Sequence, residues 1–298
     1  MKRFLQAIAA QPWAIDYAKA QEILGYLEAR ANGQIDARVI GDREYEQIRD
    51  TRGDIAVIRI HGAISNRASL MDGESMGVGA SAERLGREIQ AAYDDDGVKA
   101  IALDINSPGG SASGTPELAE LVRSLRGGDK KIIAQVDSLA ASAAYWIASQ
   151  ADEVVATESS EVGSIGVFAV HEEVSRMLHE NGITDTLIRA GKYKAEGNPF
   201  EPLSDDARSH IQAQVDKFYE MFLDGVASGR GVSAQQVKEE YGEGRTMLAR
   251  DALRAGMIDG IRTMQETLSL LGAGSRGKRP GGMSRDVAAK KLQLAKLC

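Results

Sequence analysis

From Asp54 onward, apolar and polar positions fall into two kinds of run that take turns. Ile55 to His61, Val98 to Ile105 and Lys131 to Val136 are short, β-branched and almost continuously apolar, the pattern of strands buried on both faces. Between them, Ala80 to Tyr93 and Pro116 to Leu125 space their apolar residues three and four apart, as helices with one buried stripe do. The same reading predicts strands at Glu153 to Thr157, Ile165 to Val170 and Thr184 to Arg189. It predicts helices from Ser142, at Glu172 to Asn181, at Ala207 to Ser228 and at Val232 to Tyr241. Ser204-Asp-Asp gives the longest of these a capping hydroxyl and an acidic first turn. Alternation of this kind predicts an α/β domain with mainly parallel sheets covered by helices.

The flanks read differently. Ala14 to Ala31 carries Ile15, Ala18, Ile23, Leu24 and Leu27 at helical spacing, so residues 1–50 are expected to form an N-terminal helical arm. Residues 51–271 form the domain with the alternating pattern, closed by Arg245 to Gly260. Residues 272–298 comprise a Gly-rich linker, Gly272 to Met283, and a basic tail, Arg285 to Leu297. The first residues are basic and then small, but Gln6 and Gln11 interrupt the apolar run. It is too short for a secretory core or a membrane span, so a cytoplasmic protein without a membrane anchor is expected. A composition of 43% hydrophobic and 27% charged residues is ordinary for a soluble domain, and a formal charge of -7 argues against a nucleic-acid partner. The single cysteine, Cys298, can form no internal disulfide, which fits a reducing compartment.

Candidate chemistry concentrates in four stretches. Asp137 to Gln150 places Ser142 where a strand hands over to a small-residue helix, near the positive end of the helix dipole. Alanines at 140, 141, 143 and 144 let another backbone approach. Tight helix packing would use the same alanines. Asp104 to Gly114 contains Pro108, which has no amide hydrogen, and Gly109 and Gly110, whose free amides could face a developing negative charge. An ordinary strand-to-helix turn is the alternative. The third stretch is Glu161 to Val167 and the fourth is Gly191 to Phe200, with Lys192 and Lys194. Gly73-Glu-Ser-Met-Gly77 fits a G-x-S-x-G elbow, but it follows a polar run instead of a strand, so Ser75 is read as a loop residue.

In the order INSPGG, AASAAYW, GSIGV, GKYKAEGNPFEPLS, these stretches resemble the signal peptide peptidase A family of serine peptidases, from about Ile55 to Ile261. The resemblance implies a crotonase-like, Clp-type spiral of ββα units. It also implies a Ser/Lys dyad, with Ser142 as nucleophile, Lys194 as general base, Ser164 holding the lysine, and amides at Gly109, Gly110 and Ala143 stabilising the oxyanion. Cofactors and metals have no part in that chemistry. A lysine can serve as a base once an apolar cleft lowers its pKa. Lys192 is the nearby rival base. His171 would take its place in a Clp-type triad. The expected lack of an anchor would depart from cellular members and, by resemblance, points to the phage and prophage branch, which processes scaffold and head proteins. The expected partners are therefore protein or peptide substrates, further copies of the chain in a ring, and capsid or scaffold proteins, in the host cytoplasm or the virion. A cytosolic bacterial peptidase, a crotonase-type acyl-CoA enzyme and a non-catalytic capsid subunit are the alternatives.

Overall fold

The computed structural model describes residues 12–16, 49–67 and 79–276. Its strands are β1 (Trp13–Ile15), β2 (Arg49–Arg52), β3 (Ile55–His61), β4 (Ala63–Ser65), β5 (Gly79–Ser81), β6 (Ala100–Ser107), β7 (Gly109–Ser111), β8 (Lys131–Ala141), β9 (Glu153–Ala156), β10 (Glu161–Gly163), β11 (Thr246–Leu248) and β12 (Gly260–Ile261). Its helices, labelled in order among the described residues, are α1 (Ala82–Asp94), α2 (Thr115–Leu125), α3 (Ala143–Ala148), α4 (Ser175–Glu180), α5 (Asp205–Arg230), α6 (Ala234–Glu240), α7 (Ala249–Ala255) and α8 (Met264–Arg276).

The apolar runs become the centre of an eight-stranded sheet in which β3, β6 and β8 lie side by side and parallel. Alternation along β3 sends Ile58 and Ile60 to the layer containing Leu85 and Ile89 of α1 and Leu118 and Val122 of α2. Ile55 and Val57 go to the other face, where Leu268 of α8 covers them. Burial on both faces is why these strands tolerate so few polar residues.

After β6 the chain leaves this sheet for a second, four-stranded one of order β1-β7-β4-β5. Pro108 separates β6 from β7, and with no N–H to donate it marks where the strand changes sheets. Strand β8 is shared along its length. Ile133 to Val136 pairs with β9, whereas Leu139 to Ala141 pairs with β10, and an irregularity opposite Ile105 to Ser107 separates the two halves.

Helix α5 holds the small helix α3 from behind. Ser204 caps α5 by accepting from the Ala207 amide at 3.2 Å, and Phe222 stacks on Trp146 with ring centres 4.7 Å apart. A Cβ at Gly225 would run into the Trp146 indole, and one at Gly229 would lie 2.7 Å from Gln150 Nε2 and 2.8 Å from the Ser149 carbonyl carbon. The end of α5 is tied to the sheet edge by Arg230, whose Nη2 and Nη1 donate to Asp259 Oδ1 and Oδ2 at 2.7 and 2.9 Å. Asp259 Oδ2 also accepts from the Val154 amide at 2.8 Å. Burial pushes the Asp259 carboxyl up, but the Arg230 fork and the Val154 amide outweigh it and hold the carboxyl below its ordinary value.

Several expectations are corrected. Ala14 and Ile15, expected to open a helix, form β1; the rest of that stretch lies outside the described residues. Residues 165–170 are not a strand: Gly163 and Ser164, both at positive φ, end β10 and turn the chain away, leaving a single bridge at Phe168. Residues 184–189 are irregular and mostly exposed, because no described strand offers them an edge. The helix expected at 172–181 shrinks to Ser175–Glu180, which buries no residue. Helix α8 continues to Arg276, into the stretch read as linker; the rest of that linker, the basic tail and Ser75 lie outside the described residues.

Gly229→Ala is expected to lose about 1–3 kcal/mol through overpacking, seen as a lower urea midpoint at unchanged slope. A carboxyl whose folded pKa is depressed stabilises above its unfolded value near 4 and loses that contribution as pH falls through the lower folded value. Asp259→Asn is therefore expected to be less stable than wild type by about 1–2 kcal/mol at pH 7, less than for a fully buried pair because the carboxylate is partly exposed. That gap should narrow in unfolding curves taken at successively lower pH below about 4.

Candidate active site

Ser142 stands between the end of β8 and the start of α3, in a backbone conformation that L-residues rarely adopt, φ 55° and ψ −121°. Such conformations cost on the order of 1–3 kcal/mol and survive only where the surroundings fix them. Here the Ser142 amide donates to the Gly163 carbonyl at 2.7 Å, and the Ser142 carbonyl accepts from the Trp146 amide at 3.0 Å. The side chains on either side, Ala140, Ala141, Ala143 and Ala144, are all fully buried. Their small size lets β7 and β10 close around the serine. Its Oγ donates to the Gly166 carbonyl at 3.4 Å, and the residue is 0% exposed.

The Gly109-Gly110 pair comes to the same point from the other sheet. Gly109 has φ 97°, and a Cβ there would collide with the Ala14 carbonyl oxygen and lie 2.9 Å from both the Ala141 carbonyl oxygen and the Ser142 Cβ. A Cβ on Gly110 would run into the Ile64 backbone. Both positions therefore exclude any side chain, and that exclusion puts the β7 backbone against Ser142. The Gly109 amide donates to Ser107 Oγ at 3.2 Å, and that hydroxyl donates to the Gly62 carbonyl at 2.6 Å. Ala143 is the first residue of α3, so its amide has no acceptor within the helix.

Ser164 follows Gly163 directly, so it adjoins the carbonyl that holds Ser142. It too has positive φ, at 53°, and its amide donates to the Arg245 carbonyl at 2.8 Å. Lys194 lies elsewhere, on an exposed turn where its amide donates to the Gly191 carbonyl at 3.1 Å. Within this single chain, and among the described residues, Lys194 makes no hydrogen bond to Ser142 or Ser164. Lys192 is exposed as well, 3.7 Å from Asp206 and over the Tyr193 ring. No described histidine is bonded to Ser142: His171 Nε2 lies 3.2 Å from the Asn198 carbonyl, and His61 lies 3.4 Å from Asp104. The structure thus brings together Ser142, Gly109, Gly110 and Ala143, sets Ser164 beside them, and leaves Lys194 at the surface.

Two contributors are absent from the sequence reading. One is the Gly163 and Gly166 carbonyls, which hold the backbone and the hydroxyl of Ser142. The other is β1, whose Ala14 carbonyl faces Gly109. Trp13 and Ile15 flanking Ala14 after Pro12 are the period-two signal for a strand, but the helical spacing that begins at Ala14 masks it.

The sequence model of peptidase family S49 matches residues 125–275, a span that contains Ser142, Ser164 and Lys194. The chain belongs to peptidase family S49. Among its curated relatives, Protease 4 of Haemophilus influenzae is 31% identical over 220 residues, 72% of this chain and 34% of that protein. Capsid assembly protease C of Escherichia phage lambda is 29% identical over 217 residues, 73% of this chain and 48% of the relative. Head-tail preconnector protein GP5 of Enterobacteria phage P21 is 31% identical over 201 residues, 67% of this chain and 40% of the relative. This S49 chain thus spans between about a third and a half of the length of these relatives. The resemblance to signal peptide peptidase A and its phage counterparts holds. Among the described residues of this S49 protein, no helix is long and apolar enough to cross a membrane.

Proposed function

We propose that the chain is a serine endopeptidase whose nucleophile is Ser142 and whose general base is Lys194. The observation that carries the nucleophile is the strained, fully enclosed backbone of Ser142, with the Gly109 backbone against its Cβ. Strain of this kind is retained where it presents a reacting group. In the reaction, Ser142 Oγ attacks the scissile carbonyl carbon while its proton passes to the neutral Lys194 amine. The oxyanion is met by amides from Gly109, Gly110 and Ala143, and the lysine ammonium then gives its proton to the departing amine. Water, deprotonated by the same amine, hydrolyses the ester. Ser164, one residue from the carbonyl that holds Ser142, orients the lysine.

An exposed lysine stays charged at neutral pH, so a working base requires Lys194 to be taken out of water. The segment that carries it also exposes Ile188, at 97%, and Tyr193, at 54%. Exposed apolar residues beside a lysine that needs burial favour a homo-oligomer in which a second copy covers this loop and Lys194 reaches Ser142 across the contact. The parallel strand-helix order of the core is compatible with a crotonase-like spiral. Likeness to the lambda capsid assembly protease and the P21 head-tail preconnector protein favours phage or prophage head and scaffold proteins as substrates, in the host cytoplasm or the virion. Likeness to Protease 4 keeps a cellular peptidase as the second reading.

Ser142→Ala and Lys194→Ala are each expected to reduce hydrolysis of a reporter protein at least about 10³-fold. Mixing the two inactive variants should restore part of the activity if the lysine crosses between copies. A mixture as inactive as its components, beside an active wild type, would mean the lysine acts within its own chain. The rate should climb from neutral toward mildly alkaline pH as the base loses its proton; a profile that climbs toward acid would remove Lys194 from the mechanism.

A further inference from the structure

Strand β7 has two edges. One pairs with β4, where Ile64 lies opposite Gly110. The other faces the chain around Gly166, whose carbonyl accepts from Ser142 Oγ, so a polypeptide running along it passes beside Ser142. That edge is taken by β1. It lies antiparallel to β7, with Trp13 opposite Ser111, Ala14 opposite Gly110 and Ile15 opposite Gly109.

Residues 12–16 are held on both sides. Toward β7, the Asp16 amide donates to the Pro108 carbonyl at 2.8 Å and the Ala112 amide donates to the Pro12 carbonyl at 3.4 Å. On the far side, Trp13 and Phe168 exchange two bonds, the Trp13 amide to the Phe168 carbonyl at 2.8 Å and the Phe168 amide to the Trp13 carbonyl at 3.1 Å. The segment therefore fills a groove between the strand that follows Pro108 and the chain that follows Gly166, the two backbones that flank Ser142. Ala14 is 0% exposed. The Ala14 carbonyl oxygen and the Ser142 Cβ crowd the same point beside Gly109, the point a Cβ would occupy. With the segment in place, Ser142 has no surface open to solvent.

An extended peptide recognised by main-chain bonds on both edges, with its carbonyls passing Gly109, is the geometry of strand addition. We propose that residues 12–16 are an intramolecular occupant of the peptide groove, a strand lying where substrate must lie, so that the groove opens only when this segment leaves. The assignment rests on the reading of Ser142 as the reacting residue for its functional meaning. The occupancy itself is tested by binding, in chains that lack the Ser142 hydroxyl.

The probe is a fluorescein-labelled peptide with the sequence of residues 11–17. The receptor is the full chain carrying Ser142→Ala, alone and combined with Trp13→Pro or Asp16→Pro. Each proline removes one amide that donates to a groove wall and leaves Gly109, Ser142 and Lys194 unchanged. By fluorescence anisotropy, both combined variants are expected to bind the peptide at least about tenfold more tightly than the parent, because the competing segment no longer lowers the population of open groove. Variants with wild-type far-ultraviolet circular dichroism that bind no more tightly than the parent would overturn the proposal. A second measurement needs no proline. Saturating peptide should speed amide hydrogen exchange at residues 13 and 16 of the Ser142→Ala chain at least about tenfold, and exchange unchanged by the peptide would equally overturn it. Both readouts are independent of turnover. Failure of the Ser/Lys reading would instead be seen as activity surviving Ser142→Ala or Lys194→Ala.

Discussion

Around Gly109 several main-chain groups come so close that a single methyl group would not fit, and the molecule is arranged to keep that methyl out. A Cβ at Gly109 would meet two carbonyl oxygens and the Ser142 side chain, and one at Gly110 would enter the Ile64 backbone. The alanines around Ser142 extend the same rule along β8 and α3, and Gly225 and Gly229 extend it to the back of α3. Small residues here are therefore a condition of the approach of three backbones. The unfavourable φ and ψ of Ser142 persist because the Gly163 carbonyl, the Trp146 amide and the enclosing walls leave the serine no alternative.

Charge sets the opposite problem. The amine proposed as base lies on a loop in water, while the hydroxyl it would deprotonate is sealed inside. Water stabilises an ammonium ion too well for it to act as a base near neutrality, so on the proposed reading the loop would have to be covered before its amine could serve. A loop that leaves its isoleucine almost wholly bare in one copy carries the apolar surface that assembly would cover.

Much of this was legible in the sequence because the determinants are local. The three central strands announced themselves as apolar runs, and β3 has the predicted bounds of Ile55 to His61. Helix α2 begins and ends where Pro116 and the apolar spacing put it, and the Ser204 cap is the one the acidic turn foretold. The Gly-Gly turn and Ser142 stood out in the sequence as candidate chemistry, and the structure sets them side by side. The misses share one cause. Whether residues 13–15 or 165–170 become strands depends on an edge supplied by residues far away in the chain, and periodicity does not carry that information. Ile15 fits a helical stripe, yet β7 offers it a ladder. The residues at 165–170 are β-formers, yet two positive-φ residues before them turn the chain off the sheet. The position of Lys194 relative to Ser142 is likewise a long-range property, beyond any reading of spacing.

The irregularity in β8 has a geometric consequence of its own. Between the pairs Ile105/Val136 and Ser107/Ala140, β8 advances four positions while β6 advances two. The surplus is an even number, and side chains in a strand alternate between faces. The second half of β8 therefore resumes with the same parity as the first, and Ser142 emerges toward β7 and β10. The surplus includes Ser138, whose φ of 94° bends the strand there, so the irregularity lets β8 leave β9, take up β10 and still deliver Ser142 against β7.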